Sequence, residues 1–483
     1  VVKALAIDVG TTSIRTGIVS TDGVVTHSHQ ARLSITTPQP GEVELDGAQI
    51  ARLAIELATA TLTESGGADV VGITNQRATT IVFDPSTGAP VGPTLGWQDL
   101  RTVIDCLVLQ GEGLRLAPNQ SATKVRWLVE HSERDAHELR FATIETWLAW
   151  HLSEGAIHVS DRSNAAINGL AALDVNHWDA DILSKLNIDP VMMPTIVDTM
   201  GSFGIATALP GSPLITALVG DQQASLFGQS CVTRGAKITF GTGAMLDMVR
   251  GADGPTALVR YESGCFPVVT KSHKGVVTWG VEGIVLSAGA CIEWLRDDLG
   301  LIRDASETEL LALSVPSADG VMFVPALSGL GTPQWDFGAR GGFFGITRGS
   351  TRAHMVRAVL EGIAHRGADL VDAAARETGT RLEEIRVDGG MSVNNFFVQR
   401  LADFTGLRVA VSPEREATTR GAGLMALVAY GALSEEDVEQ LWSPEVVLAS
   451  TISREERAAE RAKWSDVVSR VEKTIPELSA VTF

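Results

Sequence analysis

The chain opens on an apolar run, Ala4-Leu5-Ala6-Ile7, interrupted by a polar Gly/Thr segment from Asp8 to Thr12 and resumed from Ile14 to Val19. This pattern predicts two buried strands joined by a tight turn, and Asp22-Gly23 ahead of Val24-Val25 predicts a further reversal. A polar stretch containing Pro38, Pro40 and Gly41 leads to apolar positions at helical spacing from Asp46 to Leu62, with Asp46 as the N-cap, and then to a strand from Val70 to Ile73. Much of this vocabulary returns in the second half. Ile238-Thr239-Phe240 runs into Gly241-Thr242-Gly243, and Leu246 to Val249 resumes as a strand, so a duplicated fold is expected. Helical periodicity marks residues 352–376 and 455–471, the latter so rich in charge that it reads as a solvated C-terminal helix. Hairpins first, with helices returning between later strands, predict α/β layers rather than a dinucleotide-binding start.

Length adds a division to that picture: 483 residues with 45% hydrophobic content exceed what one core usually serves, so two domains are expected. A formal charge of −19 repels phosphate backbones and anionic lipid, which argues against nucleic-acid and membrane-surface roles. Cys106, Cys231, Cys265 and Cys291 are widely spaced, with no CxxC pair, and read as buried reduced thiols. No apolar run approaches the roughly 18 residues of a membrane span, and the first residues follow a strand pattern rather than that of a leader, so a cytoplasmic location is expected. The close pair His27 and His29 falls on a strand edge where no carboxylate or cysteine partner is expected, and it suggests no zinc site.

Three strand ends carry candidate chemistry. Asp8-Val9-Gly10-Thr11-Thr12 offers backbone N–H groups and two hydroxyls to a phosphate, Asp8 can hold the water of a Mg²⁺ ion, and Arg15 can add positive charge. An ordinary hairpin turn is the plainer reading, yet the second Gly-Thr-Gly turn would let two halves grip one polyphosphate from both sides. Gly220-Asp221-Gln222-Gln223 follows the apolar strand from Leu214 to Val219, which makes Asp221 either a general base, a helix N-cap, or both. Val387-Asp388-Gly389-Gly390 closes another strand ahead of Asn394-Asn395, where glycines permit close approach of a flat ligand such as adenine. There is no P-loop and no strand-to-helix GxGxxG. Asp336-Phe337-Gly338, without a catalytic-loop His-Arg-Asp or a strand Lys, reads as part of a structural loop.

Taken in order, these segments together with Gly72-Ile73-Thr74-Asn75-Gln76-Arg77, Trp97-Gln98-Asp99, Thr123-Lys124-Val125-Arg126-Trp127 and the Gly341–Glu361 stretch resemble the FGGY carbohydrate kinases, most closely the glycerol kinases. The resemblance spans almost the whole chain. It implies an α/β fold of two ribonuclease-H-like, actin-type ATPase domains with a cleft between them: residues 1–232 with the polyol site and first phosphate loop, and residues 233–483 with the nucleotide site, ending in a charged helix. It further implies ATP and Mg²⁺ as cofactors, a small polyol or sugar as substrate, and a homodimer or homotetramer.

By position, the resemblance assigns Thr11, Thr12, Arg15 and Thr242 to the nucleotide phosphates. Gly289, Glu293, Gly390 and Asn394 fall to the rest of the nucleotide, and Asp8 and Asp221 to Mg²⁺ through water. Arg77, Trp97, Asp221 and Gln222 line the polyol pocket, with Asp221 as the base. Three pocket positions depart from the glycerol-kinase pattern of Glu, Tyr and Phe, reading Ala78, Asn119 and Met245. Loss of a carboxylate and two aromatic walls enlarges the pocket, so a tetritol, a pentitol or a ketopentose stands beside glycerol as the expected substrate. A non-kinase ATPase or a sugar-binding regulator on the same fold is the reading from another functional class.

Overall fold

The first three strands form an antiparallel meander: β1 (Lys3–Val9), β2 (Ser13–Ser20) and β3 (Val25–Arg32), with Asp8 opposite Arg15 and Val9 opposite Ile14. The computed structural model describes residues 2–482. Helix α1 (Gly47–Ser65) is capped by the Asp46 carboxylate, which accepts from the Gln49 N–H, and ends on the left-handed Gly66. It carries the chain back so that β4 (Val70–Asn75) pairs parallel to β1. After a long excursion that includes α2 (Ile144–Leu152), β5 (Met200–Ile205) and β6 (Leu214–Gly220) return, and β6 pairs parallel to β4.

The second half repeats this plan. β7 (Ala236–Phe240), β8 (Ala244–Gly251) and β10 (Val276–Val285) are antiparallel neighbours, with β9 (Phe266–His273) beyond β10. β11 (Glu384–Asp388) then runs parallel to β7, and β12 (Arg408–Val411) parallel to β11, with β13 (Val446–Leu448) at the edge. Along the 13-stranded sheet the order is β13-β12-β11-β7-β8-β10-β9-β5-β6-β4-β1-β2-β3, and the halves meet through the parallel pair Met200–His273. The series β3-β2-β1-β4-β6 and β10-β8-β7-β11-β12 are thus the same five-strand pattern used twice. The duplication read from the two Gly/Thr turns is real.

Alternation of side-chain size explains what packs on each face. Leu5, Ile7 and Val9 point into a core with α1, whereas Ala4 and Ala6 face α7 (Ala417–Tyr430). That helix also crosses α3 (Asp221–Gly228) almost backbone to backbone. A Cβ on Gly228 would lie 1.9 Å from the Ala417 carbonyl oxygen, and one on Gly421 would lie 1.8 Å from that of Ala224. Larger residues cannot be accommodated there. α7 therefore lies against the first half's sheet although it follows β7 to β12 of the second half in sequence.

Two expectations need correcting. The charged helix α8 (Arg454–Ser469) is not solvated all round: Trp464, Val467 and Val468 form a buried stripe, and Arg461 reaches Asp369 of the long helix α5 (Arg352–Thr378) at 2.5 Å. Burying such side chains contributes roughly 1.5–3 kcal/mol each, which holds the helix to the domain despite its composition. His29 does have a carboxylate partner, with Nε2 3.2 Å from Glu64 Oε1. Among the described residues, no group of three or more His, Cys, Asp or Glu side chains is placed to hold a metal. The four cysteines are free and buried, and the Asp336 carboxylate ties its own loop to the N–H groups of Gly338, Ala339 and Lys473. Among the described residues no helix is long and apolar enough to cross a membrane.

Candidate active site

The parallel pairing of β1, β4 and β6 brings three strand ends side by side: Asn75 lies opposite both Val9 and Gly220. The residues that follow them, Gly10–Thr12, Gln76–Arg77 and Asp221–Gln222, therefore gather at one edge of the sheet, where side chains leave the core. Across from them stand β8, β9 and β10 of the second half. A cavity of about 250 Å³ lies between the two groups, lined by Thr11, Arg77, Ala78, Trp97, Asn119, Asp221 and Gln222 from the first half and by Met245, Phe266 and Glu282 from the second. All seven residues expected to line the polyol pocket meet in this one cavity.

Asp221 is the first residue of α3 and not its N-cap, one of the two roles expected from the sequence; the cap is Gly220, and Asp221 Oδ1 accepts from the adjacent Gln222 N–H at 2.8 Å. Arg77 is placed between two carboxylates, with Nε 3.4 Å from Asp221 Oδ1 and Nη2 2.6 Å from Glu282 Oε2. Burial raises the pKa of Asp221, against the pull of Arg77. The same burial pushes Glu282 up to about 7, again against Arg77. Ala78 adopts a left-handed backbone at φ +58°, a conformation costly for a residue with a Cβ, which turns the chain beneath the cavity. Its carbonyl accepts from the hydroxyls of Thr80 and Ser121, each at 3.1 Å, and holds that turn.

Trp97 is fixed from two sides. Its Nε1 donates to Thr11 Oγ1 at 3.3 Å, linking the cavity to the first turn, and the buried Lys124 Nζ donates to the carbonyls of Gly96 at 2.7 Å and Trp97 at 3.2 Å. Desolvation lowers the Lys124 pKa to about 7, so this ammonium is held at a cost to its charge. Gln222 is oriented by Lys237, whose Nζ donates to Gln222 Oε1 at 2.7 Å and lies 2.9 Å from Asp247 Oδ2. Asn119 is exposed at the cavity mouth.

Around the first turn, Asp8 is buried, accepts from Thr419 Oγ1 at 3.2 Å, and has its pKa raised to about 7, chiefly by burial and further by the Asp221 charge. Thr12 is exposed, and Arg15 Nε lies 3.4 Å from Glu416 Oε1. In the second half, Gly241 and Thr242 accept through their carbonyls from the N–H groups of Gly289 at 2.9 Å and of Ala288 and Ala290 at 2.8 and 3.0 Å, docking α4 (Gly289–Asp297) onto the turn. A Cβ on Gly289 would sit 2.5 Å from the Gly241 oxygen.

The paired glycines after β11, expected to let a flat ligand approach, stand in different surroundings. Gly389, at φ +89°, is needed because a Cβ would lie 2.3 Å from the Phe240 oxygen, whereas Gly390 faces open space. Asn394 caps α6 (Asn395–Thr405) by accepting from the Phe397 N–H at 2.9 Å and donates to Thr308 at 3.0 Å, while Glu293 is exposed on α4. The second turn, the start of α4 and the Gly389–Asn394 segment thus form one continuous rim.

Sequence reasoning missed Glu282, Phe266 and the buried Lys237–Asp247 pair. A charged residue inside an otherwise apolar strand was the available signal for three of them. Lys237 and Asp247 face each other across the β7–β8 register.

Comparison with known proteins bears on this arrangement. Residues 3–228 match the N-terminal domain, and residues 236–430 the C-terminal domain, of the FGGY family of carbohydrate kinases. The chain is 39% identical to a glycerol kinase of Aromatoleum aromaticum, covering 96% of this chain and 98% of the relative, and 38% identical to one of Trichlorobacter lovleyi with the same coverage. Its fold superposes on the crystal structure of Plasmodium falciparum glycerol kinase with ADP at a TM-score of 0.91 and 27% identity, covering 100% of this chain and 99% of the other. A ligand-bound xylulose kinase from Lactobacillus acidophilus, at a TM-score of 0.85 and 18% identity, covers 99% of both chains and shares the fold. With a duplicated α/β architecture of ribonuclease-H-like, actin-type halves, and with both family domains matched along its length, the chain belongs to the FGGY family of carbohydrate kinases.

Proposed function

We propose that this carbohydrate kinase transfers a phosphoryl group from ATP to a hydroxyl of a small, glycerol-like polyol, with Asp221 as general base. The observation that carries the reading is the convergence of Asp221, Arg77, Trp97, Gln222 and Thr11 on one cavity bounded by both halves of the chain. An alcohol is a weak nucleophile until its proton begins to leave, and the rest of phosphoryl transfer is positioning and charge neutralisation. Asp221 takes that proton, and Arg77, Trp97 and Gln222 orient the acceptor. Thr11, Thr12, Arg15 and Thr242 meet the phosphates, while Gly289, Glu293, Gly390 and Asn394 border the remainder of the nucleotide.

The donor set fits Mg²⁺. Asp8 is buried and Asp221 half-buried; both carboxyls have a raised pKa, and Asp221's charge adds to the cost of ionising Asp8. Two carboxylates completed by waters and phosphate oxygens match the habit of this cation. When bound, Mg²⁺ supplies charge that stabilises the phosphoryl group in transfer. Closure of the halves excludes water and limits loss of the phosphoryl group to hydrolysis. The four reduced, buried thiols suit a cytoplasmic site of action.

A second reading of the acceptor is favoured by Ala78, Asn119 and Met245, which line the cavity where the glycerol-kinase pattern has a carboxylate and two aromatic rings. On that reading the substrate is a tetritol, a pentitol or a ketopentose. Comparing kcat/KM over glycerol, tetritols, pentitols and ketopentoses separates the two. If the longer substrates are preferred, Ala78→Glu shifts the ratio toward glycerol by about tenfold or more. A wild-type preference for glycerol rejects the second reading.

A further inference from the structure

A fully buried polar cluster, unused by the reaction as described, lies against the strand ends that carry Arg77 and Asp221. Asn75, Asp161, Ser163 and Asn164 are all 0% exposed. Asp161 ends the short strand Val159–Asp161 and caps the helical turn Arg162–Ala165. Its Oδ2 accepts from the Ser163 N–H at 2.7 Å and from the Ser163 hydroxyl at 2.5 Å, and its Oδ1 accepts from the Asn164 amide at 2.7 Å.

An ionised carboxylate accepts only, so it fixes the direction of every bond beyond it. The Ser163 proton is committed to Asp161, which leaves Ser163 Oγ as the acceptor for the Gly220 N–H at 2.9 Å. Gly220 is the residue before Asp221. The Asn164 NH₂ must face Asp161, which turns its carbonyl oxygen toward Asn75. The two amides then exchange bonds of 3.0 and 3.1 Å, and Asn75 Nδ2 also donates to the Gln76 carbonyl at 2.9 Å. Asn75 precedes Arg77 by two residues and lies beside Gly220 in the sheet.

We propose that Asp161 is a positioning residue for phosphoryl transfer: through Ser163 it anchors the backbone before Asp221, through Asn164 it anchors the backbone before Arg77, and it thereby fixes the 3.4 Å approach of Arg77 Nε to Asp221 Oδ1. The inference rests on the placement of Asp221 and Arg77 at the acceptor. Its two arms are separable, which distinguishes positioning from a general contribution to folding.

The test is steady-state kinetics of the full-length chain and of Ser163→Ala, Asn164→Ala and Asp161→Ala, with melting temperature and circular dichroism recorded for each. Ser163→Ala is expected to lower kcat about tenfold with little change in polyol KM, and Ser163→Thr, which keeps the hydroxyl, to restore it. Asn164→Ala is expected to raise polyol KM by about fivefold or more, with ATP KM unchanged in both variants. Asp161→Ala combines both effects; should it fail to fold, the single arms decide. Folded Ser163→Ala and Asn164→Ala with wild-type kcat and polyol KM overturn the proposal, as does a parallel rise in ATP KM. Asp221→Asn serves as the control. If it is inactive while Ser163→Ala is normal, only the positioning role falls; if it is active, the functional reading falls and takes this inference with it.

Discussion

Replacing Asp221 with Asn keeps the side chain's size and its bond to the Gln222 N–H but removes the acceptor charge that a departing proton needs. Turnover is expected to fall roughly a thousandfold while ATP binding, measured by calorimetry, is retained. A second residue-scale prediction concerns Glu145, whose Oε1 accepts from Thr143, Thr146 and Ser160 and whose pKa burial and then Asp161 raise from 4.5 to about 7. A carboxyl that binds its proton more tightly when folded stabilises the fold below the unfolded value of 4.5, and that contribution is lost as pH rises through about 7. Glu145→Gln stays neutral, so its stability relative to wild type should improve between pH 5 and pH 8, by on the order of 1–3 kcal/mol in urea titrations. A pH-independent difference would refute the raised pKa of Glu145. Much of the site was legible at this scale because Arg77, Trp97 and Asp221 each sit in a motif at or near a strand end. Glu282 was not, because its partner Arg77 lies some two hundred positions earlier and only sheet pairing brings them to 2.6 Å.

The crossing of α3 and α7 governs where Asp221 points, since α3 begins with that residue. Gly421→Ala places a methyl where the Ala224 backbone lies, and the helices must separate. A loss of about 1–3 kcal/mol is expected in chemical denaturation, with a larger fractional fall in kcat than in ATP affinity. Unchanged kcat in a destabilised variant would mean that α3 does not aim the base. Elements with strong periodicity, α1 and α5, were readable from sequence within a few residues. The true exposure of α8 was not, because a narrow stripe of Trp464, Val467 and Val468 is outweighed in composition by its charges. The closeness of α3 and α7 was equally hidden, since a glycine in a helix does not announce which helix it touches.

Two copies of one strand pattern, set edge to edge, make a molecule whose candidate site residues are divided between its halves. The repeated Gly/Thr turns betrayed the duplication in the sequence. The meeting of β8, β9 and β10 with the strand ends of the first half was not readable there, because it depends on how the halves pack rather than on local pattern. Neither half alone encloses the cavity, so on the proposed reading the acceptor alcohol and the phosphoryl donor meet only when both contribute. The most direct measurement is the rate of ADP formation from ATP with and without a saturating polyol drawn from the glycerol-to-pentitol range. Acceptor-dependent ADP release at least about a hundredfold above the acceptor-free rate is expected; ATP turnover that no polyol or sugar accelerates would contradict the account.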